Sequence, residues 1–401
     1  MRRTFALHIM QFHQLIHQSP GLEQLRQLAA ADRLPHANLI VSPAGTGGLP
    51  AALAVANLLL CEDRQGTEGD TSCGRCRACR KTSTTVHPDL HFAFPTVGSK
   101  MTGDPFLPQW REALKESPYQ EANDWLQRIG AENKQGNITR EACAGILRKL
   151  SLKIFEGKYK IMLVWLPEHL GNEGNRLLKM IEEPPERTIF FLVSERVDLI
   201  LTTILSRCRL TKLNAPTDVE LATALQARGI PAPAATAAAR LAAGNYNLAL
   251  SLADSDTADS HGPRLLDWTR ACYQGSPSQL IAWTDEFAKL GRETQKHFIR
   301  YCLHFWREFL LLSVTGNQHN GVRLPAEELA SATKLLPLVD HDQLAGITGI
   351  LSECAEHVER NANPKILFLD AGLRIHHLLR TRLTSGAPTP ADTAQSAAAR
   401  A

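Results

Sequence analysis

No apolar run in these 401 residues approaches the ~18 that a membrane-spanning helix needs, so no spanning helix and no membrane partner is expected. An excess of charge of one sign is missing too. Lys and Arg number 44 against 41 Asp and Glu, a formal net charge of +3. That balance lacks the broad electrostatic footprint of many nucleic-acid binders, yet excludes neither nucleic acid nor protein partners. An export signal is also missing. The start is basic at Arg2 and Arg3, but the apolar part that follows is short and interrupted by His8. The expected compartment is the cytoplasm, and Met10 offers an alternative start. What remains is ample for globular cores: 44% apolar residues in a length that suggests two or three domains.

The most informative absence lies in a loop. Asn38-Leu39-Ile40-Val41 reads as a buried strand, and Ala51 to Leu60 is rich in helix formers. Between them stands Ser42-Pro43-Ala44-Gly45-Thr46-Gly47-Gly48-Leu49. Strand, Gly-rich turn and helix form the context of a Walker A phosphate loop, whose pattern is Gly, four residues, then Gly-Lys-Ser/Thr. Here Ser42 stands for the first Gly, Gly48 for the Lys and Leu49 for the hydroxyl residue. Without the Lys nothing neutralises the β- and γ-phosphates, and without the hydroxyl nothing on the loop ligates Mg²⁺. Gly45 and Gly47 are what survives. The second NTPase element should be a strand ending in acidic residues. The strand Tyr159 to Trp165 is present but ends in Val164-Trp165, with Glu168 three residues beyond. Glu168 is read as a surface or helix-start carboxylate.

Nine cysteines divide into a cluster and a scatter. Cys61, Cys73, Cys76 and Cys79 offer four thiolates with two tight two-residue spacings, which suit a tetrahedral, structural Zn²⁺ site with no open position. The alternative is four oxidisable thiols. Arg75, Arg77, Arg80 and Lys81 around them read as a solvated rim or as a nucleic-acid contact. Cys143, Cys208, Cys272, Cys302 and Cys354 read as small buried apolar groups.

Patterning along the chain predicts helices at 21–34, 49–60, 139–152 (capped by Thr139) and about 172–182, stopped by Pro184-Pro185. Strands are predicted at 38–42, 90–94, 159–165, 188–194 and, more weakly, 209–213. Alternating strands and helices imply a parallel sheet covered on both faces. Residues 96–138 are polar and read as an insertion carrying Trp110 and Trp125 in helices. After Pro216 only helical patterns occur, and 386–401 reads as a disordered tail.

Ser206-Arg207-Cys208 says nothing in isolation. Next to a degenerate nucleotide fold, an Arg at a subunit edge can reach a neighbour's triphosphate; the plain alternative is a surface ion pair. The run Leu177 to Pro185, then Thr203 to Cys208, resembles the core of bacterial clamp-loader AAA+ subunits. The four-cysteine module, His36-Ala37 and His87-Pro88-Asp89 fit the same pattern. The resemblance covers about 10–380. It implies an α/β AAA+ (RecA-like) domain at 10–214, holding the zinc module (61–79) and the insertion. A small helical lid at 215–258 and an all-α collar at 259–385 would follow. It implies Arg207 as a finger acting in trans, with Ser206 and Cys208 completing the motif, and Cys61, Cys73, Cys76 and Cys79 as zinc ligands. The implied partners are the gamma/tau and delta subunits of a heteropentamer, the sliding clamp and primer-template DNA. The departures at Gly48, Leu49 and Trp165 imply a non-hydrolysing subunit for which ATP binding is not expected. An active ATPase of gamma/tau type, or a zinc-dependent nucleic-acid-binding protein with a decayed NTPase fold, are the alternatives.

Overall fold

A computed structural model describes residues 11–66, 69–131, 134–253, 261–316, 322, 324–359 and 362–384. The expected tail at 386–401 and the alternative start at Met10 lie outside them. The chain divides into two units, one ending at Ser251 and one beginning at Leu252.

The first unit is built on five strands: β1 (Ala37–Val41), β2 (Leu90–Ala93), β3 (Lys160–Trp165), β4 (Thr188–Ser194) and β5 (Arg209–Lys212). All neighbouring strands run parallel, in the order β2-β3-β4-β1-β5. Register sets Leu192 opposite Leu39 on one side and Val164 on the other. These strands read as unbroken apolar runs because both faces are covered. Ile161, Leu163, Trp165, Ile189, Phe191 and Val193 join the core with helices Pro20–Ala30 and Gly48–Leu60. Met162, Val164, Phe190 and Leu192 point the other way, toward Cys143, Ile146 and Leu150 of helix Arg140–Ser151. Every residue of Gly48–Leu60 is buried, as expected for a helix that is apolar all round. Thr139 caps Arg140–Ser151, its hydroxyl accepting the Ala142 N–H at 3.1 Å.

Two elements differ from the sequence reading. The helix expected at about 172–182 begins earlier, as a 3₁₀ segment Pro167–Leu177 broken at Gly171 (φ 48°), and only then continues as the short helix Leu178–Glu182. Pro167 follows Leu166, itself left-handed at φ 57°, so the chain turns sharply as it leaves β3. The insertion is also more than a polar connection. Thr96 and Asn137 exchange two backbone hydrogen bonds of 2.8 Å at its base. Its helices Leu107–Glu116 and Ala122–Arg128 sink Trp110 and Trp125 into the core without exposure.

Sheet order defines a crevice. The chain leaves β1 toward β2 on one side and leaves β4 toward β5 on the other, so the carboxyl ends of β1 and β4 form the topological switch point where ligands bind in open α/β sheets. Helices Asp218–Ala227, Ala232–Ala242 and Tyr246–Ala253 follow β5. The second unit is helical throughout its described residues. Trp268, Phe298 and Phe368 fill its core with Phe287, whose ring lies 4.5 Å from that of Phe368.

Candidate functional site at the switch point

The degenerate loop lies at the switch point. Its register is tied to β4 by the Ser42 N–H, which donates to Ser194 O at 3.0 Å. Thr46 closes the turn by donating its hydroxyl to Pro43 O at 2.7 Å. Gly45 and Gly47 adopt φ of 66° and 122°, conformations that side chains other than Gly resist. The residues at the first and seventh positions of the motif turn out to be coupled. A Cβ at position 48 would lie 2.2 Å from Ser42 Oγ and 3.1 Å from Val193 Cγ1. Ser42 therefore occupies the space a side chain at position 48 would need, and the loss of Lys and the loss of the first Gly are one packing solution. The space beyond the loop is filled as well. The Asn245 side chain covers Gly45, and the Tyr119 ring lies against Gly47. A cavity of about 10 Å³ lies beside Thr46 and Gly47, on the scale of one water.

At the end of β3, where an acidic pair would hold Mg²⁺, Trp165 packs 5.1 Å from Trp110 of the insertion, and Trp110 lies edge-on to Trp125 at 5.1 Å. The site of the missing acids is thus an aromatic core. Glu168 begins the 3₁₀ segment, and its Oε1 accepts the N–H groups of Glu195 and Arg196 at 3.0 and 3.2 Å. It acts as a helix-start carboxylate that clips the exit of β4. Glu195 stands beside it. Burial, then the charges of Glu168 and Glu121, push its carboxyl up to about 8.

Arg207 follows the short helix Thr202–Leu205. Its Nε donates to Glu182 Oε1, and its Nη1 donates to Thr203 O at 2.8 Å and to Ser206 Oγ at 3.2 Å. The side chain is one-third exposed. Cys208 turns inward against the core, and burial pushes its thiol up to about 11. The motif therefore presents the exposed Ser206 and a guanidinium held by three acceptors. Arg207 is held by Glu182 and the helix Thr202–Leu205, whereas the loop is tied to β4.

The four clustered cysteines do converge. Their sulfurs lie within 4.8 Å of one another; four thiolates at ~2.3 Å from one Zn²⁺ would stand about 3.8 Å apart. Cys73, Cys76 and Cys79 N–H groups donate to the sulfurs of Cys61, Cys73 and Cys76, each at 3.3 Å. Burial raises the Cys61 and Cys79 thiols. At Cys73 burial also raises, but the N–H groups of Arg75 and Cys76 outweigh it and bring the thiol to about 7. The donor set fits a divalent metal that takes four sulfurs. Cys61 ends helix Gly48–Leu60 and Cys76 caps helix Arg77–Ser83, so such a metal would tie the two together. Arg75 pairs with Asp63 and Lys81 with Glu156.

Sequence reading gave His87-Pro88-Asp89 no physical role. Asp89 is 1% exposed, and its carboxylate accepts the N–H groups of Phe155, Glu156 and Gly157 at 2.7–2.8 Å. Buried Lys160 donates to Leu150 O and Leu152 O on the same turn. Two buried charges thus fix the turn before β3. An Asp beside Pro at the start of a strand was the available signal; its partners, over sixty residues away, were not.

Residues 17–217 match the family model for DNA polymerase III, delta subunit. DNA polymerase III subunit delta' of Escherichia coli is 25% identical over 368 residues, which span 90% of this chain and 95% of that protein. Its counterpart in Yersinia pestis is 31% identical over 176 residues, 43% of this chain and 40% of that protein. Among solved structures, a gamma subunit-related DNA polymerase III protein of Thermotoga maritima is 12% identical with a TM-score of 0.39, over 90% of this chain and all of that one.

Proposed function

The chain belongs to the DNA polymerase III delta-subunit family, as a delta-prime-like member, and from that premise we propose that it serves as the non-hydrolysing subunit of an assembly that loads a sliding clamp. In this reading it presents Arg207 to the ATP site of a neighbouring gamma/tau subunit, where the guanidinium stabilises charge on the transferring γ-phosphoryl group. The delta subunit, the clamp and primer-template DNA are its further partners, and the cytoplasm its compartment. Three helices after β5 act as a lid and the second unit as the oligomerising collar. The carrying observation is the contrast between two sites. Ser42 and Trp165 fill the positions that would serve this chain's own ATP chemistry, while Arg207 is held partly exposed. The four-cysteine module holds a structural zinc that joins helices Gly48–Leu60 and Arg77–Ser83, supported by the convergence of its sulfurs. Among the described residues no helix is long and apolar enough to cross a membrane.

The test is reconstitution of the assembly with Arg207→Ala. DNA-stimulated ATP turnover should fall at least about tenfold, a conservative bound below the roughly 10³–10⁵-fold that an arginine finger contributes. The assembly should still form, measured by size-exclusion chromatography. Full turnover would remove Arg207 from the mechanism.

A further inference from the structure

Besides seating Trp110 and Trp125 in the core, the insertion between Thr96 and Ile138 reaches the degenerate loop. The helix Tyr246–Ala253 begins against the loop. In this chain protein groups make that junction. The Tyr246 N–H donates to Gly45 O at 2.9 Å. Asn245 lies so close to Gly45 that a Cβ there would meet its Oδ1 at 2.2 Å. The carboxamide of Asn245 is used at both ends: Oδ1 accepts the Leu248 N–H at 2.9 Å, and Nδ2 donates to Glu121 Oε1 of the insertion at 2.8 Å. Next along, Asn247 Nδ2 donates to Asp124 Oδ2 at 3.0 Å, and the Ser117 hydroxyl donates to Asn247 Oδ1 at 3.3 Å. Tyr119 adds an apolar clamp, its ring 4.9 Å from that of Tyr246, while its Oη accepts the Ile16 N–H at 3.1 Å. Tyr119 is 4% exposed and Tyr246 3%.

We propose that the insertion is a built-in clasp: Glu121 and Tyr119 hold Asn245 and Tyr246 on the loop, fixing the helical segment to the sheet without nucleotide. Asn245 and Glu121 are its positioning residues. Their hydrogen bond forms beside the buried rings of Tyr119 and Tyr246 and keeps the Asn245 side chain against Gly45. The inference rests on the reading that this chain makes no use of ATP, but its test is independent of the Arg207 experiment.

Hydrogen exchange of the intact purified chain is the measurement, read at 43–49 and 246–251. In the unsubstituted protein both segments should exchange slowly, and Mg·ATP should not change them. Asn245→Asp keeps an oxygen for the Leu248 N–H, so the helix start survives, but sets a carboxylate against Glu121. Exchange in both segments should rise about tenfold or more. Asn245→Asp with Glu121→Gln restores the hydrogen bond with donor and acceptor reversed, and exchange should return to within about twofold of the starting protein. Glu121→Ala gives a second route that leaves the helix start untouched, and should loosen the same two segments. An unchanged loop in both single variants, failure of the reversed pair to restore protection, or slowing of the unsubstituted protein by Mg·ATP would each overturn the clasp.

Discussion

A phosphate loop is usually judged by which residues it has lost. In this chain the replacements hold one another in place. Because a Cβ at position 48 would collide with Ser42 Oγ, Gly48→Lys should destabilise the protein by about 1–3 kcal/mol, the usual cost of overpacking. Ser42→Gly made together with Gly48→Lys should recover most of that loss, read from urea unfolding midpoints. Neither variant should hydrolyse ATP, since Leu49 and Trp165 still lack the groups that hold Mg²⁺. Glu195 makes a second residue-level prediction. Its carboxyl is raised to about 8 by burial and by Glu168 and Glu121, against about 4.3 in an unfolded chain. The folded state therefore binds more protons than the unfolded one between those values. Stability from this group is full below the unfolded value and is lost as pH rises through the folded one. Glu195→Gln should flatten that decline, giving a higher Tm than the parent at pH 8.5 and little difference at pH 5. An equal Tm gap at both pH values would remove Glu195 as the source.

Elements are held here by unusual ends. Helix Gly48–Leu60 begins in a loop that Ser42 locks and ends at Cys61, one of four converging thiols. If a metal occupies that cluster, it contributes folding free energy directly, because an unfolded chain has no preformed site. A chelator that strips zinc should then lower Tm by several degrees, and readdition of zinc should restore it. Cys79→Ser should reproduce the loss and no longer respond to metal. The same Tm with and without chelator, together with no zinc by elemental analysis, would reject the metal. The turn before β3 needs no metal, since Asp89 and Lys160 hold it through backbone groups. On the other side of the sheet, Trp165, Trp110 and Trp125 make the insertion part of the core.

For the whole molecule, the Arg207→Ala experiment gains its meaning from the local partners that hold Arg207 in the isolated chain. A change at Arg207 should leave Tm and metal content of the isolated chain nearly unchanged, because its partners are the solvent-exposed Glu182 and local backbone and such ion pairs contribute at most about 1 kcal/mol. Its effect should emerge when a neighbouring subunit brings ATP. Arg207→Lys sharpens this outcome. It keeps the charge but loses the planar fork, so turnover should remain well below that of the unsubstituted assembly.

Much of this was legible in the chain itself. The five strands, the degenerate loop and the four-cysteine spacing follow from apolar runs and short-range patterns, which depend on neighbours a few residues apart. Thr139 as a helix cap was readable for the same reason, whereas Glu168, expected as a surface or helix-start carboxylate, accepts N–H groups from Glu195 and Arg196 across the fold. The polar composition of 96–138 concealed two buried tryptophans, because two large rings can anchor a segment whose remaining residues face water. Asp89 gave no sign of the turn it holds, and nothing near Gly45 pointed to Asn245. Those contacts join residues tens to hundreds of positions apart, and register, distance and burial arise only when the sheet closes. The sequence by itself determined which groups this chain lacks for ATP chemistry. The tertiary structure decided what packs there, a serine hydroxyl beside Gly48, an aromatic stack on Trp165 and an asparagine against Gly45, because only the closed fold brings these distant residues together.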